Sequence, residues 1–118
     1  MKYLFILNEP PYGSERSYNA LRLARELLKD AAAGNEAKIF LVGDAASCAK
    51  GGQKVPQGYY SIEALLHGAS ARGAEIGVCG SCMDARGLTD AELAKDCRRS
   101  SMAQLAAWTA WADKVIVF

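Results

Sequence analysis

Met1-Lys2-Tyr3-Leu4-Phe5-Ile6-Leu7-Asn8-Glu9-Pro10-Pro11-Tyr12-Gly13 is the stretch on which the fold turns. Tyr3 to Leu7 is apolar without alternation, the pattern of a strand covered on both faces, which belongs in a parallel sheet. It stops at Asn8-Glu9-Pro10-Pro11. A secretory core segment runs longer, and a membrane-crossing helix needs about 20 residues, so the start reads as a buried first strand.

Working outward, apolar runs of strand length recur at Ala37 to Val42, Glu75 to Cys79 and Lys114 to Phe118. Cys97 to Ser100 also admits a short strand. Helical periodicity fills the gaps. Ala20, Leu21, Ala24, Leu27, Leu28 and Ala31 mark one helix, stopped by Gly34-Asn35. Ile62, Leu65, Leu66 and Ala69 mark a second, closed by Gly73. Thr89-x-x-Glu92 and Ser101-x-x-Gln104 have the capping-box form and open a short helix and one from about Met102 to Ala112. Gly43 to Gly58 shows no period and reads as a long loop, of the functional or mobile kind. Strands alternating with helices give an α/β fold, one parallel sheet sandwiched between helices, with ligands bound outside the carboxyl ends of the strands. Cys79 sits at such an end. The loops at Asn8 to Gly13 and Gly43 to Gly58 leave the same edge.

The 118 residues suffice for one domain, 1–118, and no linker divides them. The net charge of +1, with no basic stripe or aromatic platform, gives no reason to expect nucleic acid or an anionic membrane. Four cysteines and no export signal imply reduced thiols and a cytoplasmic protein.

The chemistry centres on Cys79-Gly80-Ser81-Cys82. A thiol is a useful nucleophile only as thiolate, and its pKa falls when backbone N–H groups or a cation stand near. Gly80 to Met83 supply the former and Arg86 the latter, while Gly80 and Ser81 leave room for a reactant. A thioredoxin-like dithiol exchange fits the Cys-x-x-Cys spacing, but the pair lies late and no proline follows Pro56. Zinc needs four ligands, and Cys48, Cys97 and the lone His67 offer no second pair. Both thiols as small core residues is the plainest alternative, since free cysteine is often buried.

Tyr12 and Gly13, on the loop after the first strand, are candidate substrate contacts, although Gly13 also suits the turn into the helix. His67 lies well round from its helix's apolar stripe, toward solvent or another subunit. Asp84 reads as a local cap. Cys97 packs near Leu93, and Cys48 has no visible partner in its loop. In the last helix Met102, Leu105, Ala106 and Thr109 share a face, while Trp108 and Trp111 point elsewhere and suggest a subunit interface.

Val78-Cys79-Gly80-Ser81-Cys82-Met83-Asp84-Ala85-Arg86-Gly87-Leu88 resembles the cysteine segment of the DsrE/DsrF-like family. The opening strand with Pro11-Tyr12-Gly13, and the ending Ser100 to Leu105 with Asp113 to Phe118, resemble that family's two ends. The resemblance implies a flavodoxin-like three-layer sandwich with a parallel sheet of about five strands, assembled as a homo-oligomer, trimer or hexamer. In its sulfur-relay members a cysteine ending the third long strand carries persulfide sulfur between donor and acceptor proteins. Counted back from the shared Arg-Gly, Cys79 falls there. Those members lack a thiol at Cys82, which is then a resolving thiol or a bystander. The expected site is therefore Cys79 and Cys82 as reacting groups, with Tyr12, Gly13, Gly80, Ser81 and Arg86 around the substrate. No metal, nucleotide or organic cofactor is expected.

Overall fold

The apolar opening forms β1 (Lys2–Leu7) in the computed structural model, which describes residues 1–118. It is flanked on both sides, by β2 (Glu36–Leu41) and by β5 (Lys114–Val117), so every residue of the run is inside the sheet. β3 (Glu75–Cys79) and β4 (Cys97–Ser100) extend the sheet beyond β2, and all four pairings are parallel in the order β4-β3-β2-β1-β5. The chain steps outward from β1 to β4, then returns to the far side of β1. Right-handed crossovers therefore put α1 (Arg16–Leu28) and α2 (Ile62–Ala71) on one face and α4 (Met102–Trp111) on the other. Three layers result.

Successive strand side chains alternate between the faces. Phe5, Leu7, Ile39, Leu41, Ile76 and Val78 meet α1 and α2 in the large core. Leu4, Phe40 and Cys79 point the other way and meet Trp108 of α4 in a small second core. Trp108 stands edge-on to Phe40, with ring centroids 6.1 Å apart. Lys38, paired with Glu75 at 2.8 Å, lies over both Trp108 and Trp111 at 5.1 and 4.7 Å from their ring centroids. Of the two tryptophans read together as marking a subunit interface, Trp108 is thus buried inside its own domain. Helical spacing could not reveal this, because a helix apolar nearly all round has no marked inner face. What stays outside is Met102, Ala103, Ala106, Ala107 and Ala110 of α4 and, on β5, Val115 and Val117.

Two further expectations change. The first half of the supposed loop is a 3-10 helix, Gly43–Ala49, with Ala45, Ala46, Cys48 and Ala49 buried. Small residues at 3-10 spacing give no period of 3.6 and so read as loop. Cys48 accordingly has partners: its sulfur lies 3.5 Å from the Glu9 carbonyl oxygen and 3.7 Å from the Ser17 hydroxyl. The first helix ends at Leu28, and Ala31–Ala33 form a separate 3-10 turn capped by Asp30. The box at Thr89 and Glu92 does close, but over a single 3-10 turn, Asp90–Glu92. No helix is long and apolar enough to cross a membrane.

Candidate functional site

β3 delivers Cys79 to the carboxyl edge, and the next residue starts α3 (Gly80–Ala85). The turn is tight against β4. A Cβ on Gly80 would stand 2.9 Å from an Arg99 guanidinium nitrogen and 3.2 Å from the Ser100 carbonyl oxygen. One on Gly77 would press at 3.1 Å on the Trp108 ring. Glycine at both places lets β4 and α4 close around the end of β3.

Cys79 is only 4% exposed, yet its sulfur is not among aliphatic groups alone. It lies 3.3 Å from the Ser81 hydroxyl. Burial by itself pushes the thiol up; the Cys82 and Ser81 side chains, and then their backbone N–H groups, outweigh it and hold Cys79 below its ordinary value. Cys82 moves the other way. Burial and the adjacent Cys79 push it up, against the Gly43 N–H and the Arg86 charge. Of the two thiols, Cys79 is therefore the one that ionises first, with the proton kept on Cys82.

Cys82 is fixed from the end of β2. The Gly43 N–H donates to its sulfur at 3.1 Å, and Gly43 has φ +61°, a conformation glycine adopts without strain. Arg86 donates to the Cys82 carbonyl oxygen at 3.1 Å and holds Asp44 at 2.7 Å. Arg86 thus stands behind Cys82, and Arg99 occupies the Gly80 side instead, donating to the Gly80 carbonyl oxygen at 3.2 Å and pairing with Asp84 and Asp90. Sequence reasoning passed over Arg99 and Asp44, because pairings 15 and 42 residues apart leave no local pattern.

Tyr12 and Gly13 are not brought to the thiols. The Tyr12 hydroxyl donates to Gln53 at 2.7 Å and accepts from the Ile62 N–H, pinning the chain before α2. Gly13 is exposed, with φ +99°, and serves the turn. None of the larger cavities is lined by Cys79 or Cys82. The roomiest, 380 Å³, lies between α2 and the chain entering β4, where His67 Nδ1 is 2.6 Å from Asp96. No three His, Cys, Asp or Glu side chains converge as a metal site would require.

This arrangement can do one kind of chemistry well. A thiolate with fixed donors and a neighbouring protonated thiol suits sulfur–sulfur exchange. The model of the DsrE/DsrF-like family matches residues 1–118. Protein YchN of Escherichia coli is 34% identical over 117 residues, covering 99% of this chain and 98% of that protein. Its crystal structure superposes with a TM-score of 0.92, covering 100% of this chain and 99% of that one. An uncharacterized protein of Methanocaldococcus jannaschii, MJ0989, is 37% identical over the full length of both. A Bacteroides thetaiotaomicron protein of unknown function, BT1422, shares the fold at 14% identity and a TM-score of 0.57.

Proposed function

We propose that this chain, which belongs to the DsrE/DsrF-like family, carries sulfur as a persulfide on Cys79 within a homo-oligomer and hands it between protein partners in the cytoplasm. The observation that carries the reading is the opposition at one site: a nearly buried sulfur that its donors nevertheless keep below the ordinary thiol range. In the loading step the Cys79 thiolate attacks the sulfane sulfur of a donor R–S–SH. The new bond is Cys79 S–S, the bond to R–S breaks, and the leaving group departs as R–S⁻. Transfer repeats the step on an acceptor thiol. Gly80 lets β4 close on the turn that carries the thiols, and Ser81 steadies the charge. Arg86 acts at one remove by holding Cys82, and Tyr12 and Gly13 belong to the scaffold.

Support for the oligomer comes from the face that the protomer leaves bare. Met102 is 61% exposed, and Val117 and Val115 are 63% and 41% exposed on an edge strand. Large apolar side chains left bare in this way are what subunit contacts cover. Whether the assembly is a trimer or hexamer follows from sedimentation.

The test is direct. A Cys82→Ser chain, which keeps Cys79 as the one thiol of the loop, should gain one sulfur atom when incubated with a low-molecular-weight hydropersulfide and weighed intact, and Cys79→Ser should gain none. A Cys79→Ser protein that still takes up the sulfur defeats the assignment.

A further inference from the structure

The carrier chemistry uses one thiol, and the site holds two. Cys82 is gripped from three directions: the Gly43 N–H on its sulfur at 3.1 Å, Arg86 on its carbonyl at 3.1 Å, and the Arg86–Asp44 pair tying both to the end of β2. Such support fixes a side chain in one place, and there Cys82 packs against the same small core that holds Cys79, with each sulfur altering the other's ionisation. Cys79 is the residue before a helix and Cys82 the third residue within it, the Cys-x-x-Cys placement of dithiol–disulfide pairs.

We propose that Cys82 resolves the Cys79 persulfide, releasing hydrosulfide and leaving a Cys79–Cys82 disulfide, so that the site is a persulfide reductase as well as a carrier. This rests on the Cys79 reading above. The step balances. Cys82 S–H gives its proton to the terminal sulfur of Cys79 S–S⁻, and the resulting Cys82 thiolate attacks the inner sulfur. The Cys79–Cys82 S–S bond forms, the bond to the terminal sulfur breaks, and that sulfur leaves as HS⁻. The cysteine pair loses two electrons and the departing sulfur gains them. An external dithiol then reduces the disulfide and restores the pair. The proton that Cys82 holds is the one the leaving group needs. An acceptor protein and Cys82 thus compete for the same loaded sulfur, and the site passes it on when an acceptor is docked and discards it as sulfide when none is.

Wild type, Cys82→Ser and Cys82→Ala are loaded with a low-molecular-weight hydropersulfide, desalted, and followed by intact mass and sulfide release without added thiol. Wild type should lose the added sulfur and release about one equivalent of sulfide. It should finish two hydrogens lighter than the reduced chain, with peptide mapping placing the bond between Cys79 and Cys82. Both variants should keep the sulfur, with release at least about tenfold slower. If wild type holds its sulfur as firmly as the variants and no lighter species forms, the resolving role is overturned and the carrier stands. If the variants take up no sulfur and wild type neither releases sulfide nor becomes lighter, both fall. The wild-type arm decides even should a variant fold poorly.

Discussion

Cys97 and Cys79 are 6% and 4% exposed, and their thiols are driven in opposite directions. Cys97 starts β4 and packs in the large core, where burial and the charge of Asp96 push it up to about 12. Cys48, fully buried in the 3-10 helix after β2, is pushed up to about 11 by burial, against which the Ser17 hydroxyl and a backbone N–H weigh too little. Cys79 ends its strand one peptide before a helix, so hydroxyl, thiol and two N–H donors converge on it. Solvent exposure does not separate these thiols. The supply of hydrogen bonds to the charged form does.

The largest expected consequence is kinetic. With iodoacetamide near neutral pH, Cys79 should be modified about a thousandfold faster than Cys48 and Cys97, which should wait for unfolding. Peptide mapping after timed quenching reads the ratio. Equal protection of all three would dissolve the contrast and favour a packed, non-catalytic module.

Much of this contrast was legible beforehand. Tyr3 to Leu7 gave the central strand because an apolar run without alternation has few other uses, and Cys79 followed as a strand end. Cys97 in the core was likewise readable from its neighbours. The cover over Cys79 was not. Trp108 owes its inward direction to Gly77, whose missing side chain makes the seat, and that match spans 31 residues with no local signature. The Gly43 N–H that fixes Cys82 was hidden for a related reason, since a 3-10 helix of small residues has no amphipathic period. Tyr12 misled because proximity along the carboxyl edge does not imply contact; its hydroxyl was needed by Gln53.

The cover makes the next test. Trp108→Ala removes the wedge against Phe40, Leu4 and Cys79 and should cost about 3–5 kcal/mol in urea unfolding. In the fraction that remains folded, Cys79 labelling should accelerate while Cys48 stays closed, because the two lie on opposite faces of the sheet. Acceleration at both sites would mean general loosening and blur the distinction.

A smaller effect concerns the core thiols alone. Below the ordinary thiol range both folded and unfolded chains keep these protons, and the perturbation contributes nothing to pH dependence. As pH rises past that range the unfolded chain loses protons that the fold retains, so stability falls until about 11 for Cys48 and about 12 for Cys97. Near pH 10.5 the Cys48 part is on the order of 2 kcal/mol. Comparing urea unfolding of wild type and Cys48→Ala at neutral and alkaline pH isolates it, since the lysines and tyrosines titrate alike in both. A wild type and variant losing stability in parallel would remove the core half of the comparison.

The smallest effect bears hardest on its cause. Ser81→Ala deletes the hydroxyl 3.3 Å from the Cys79 sulfur but leaves the N–H of residue 81, that of Cys82 and the Cys82 thiol in place. The pH–rate profile of Cys79 labelling should therefore shift upward, and the rate near neutral pH should fall by no more than about fivefold, the worth of one hydrogen bond of about 1 kcal/mol. Cys82→Ser keeps a donor at the same place and should shift the profile less than Cys82→Ala does. That order is expected only if the low titration of Cys79 is assembled from separate donors. Were neither position to move the profile, the source would have to be sought in charge rather than hydrogen bonding, and Arg86 and Arg99, the two cations on either side of the turn, would be the residues to neutralise next.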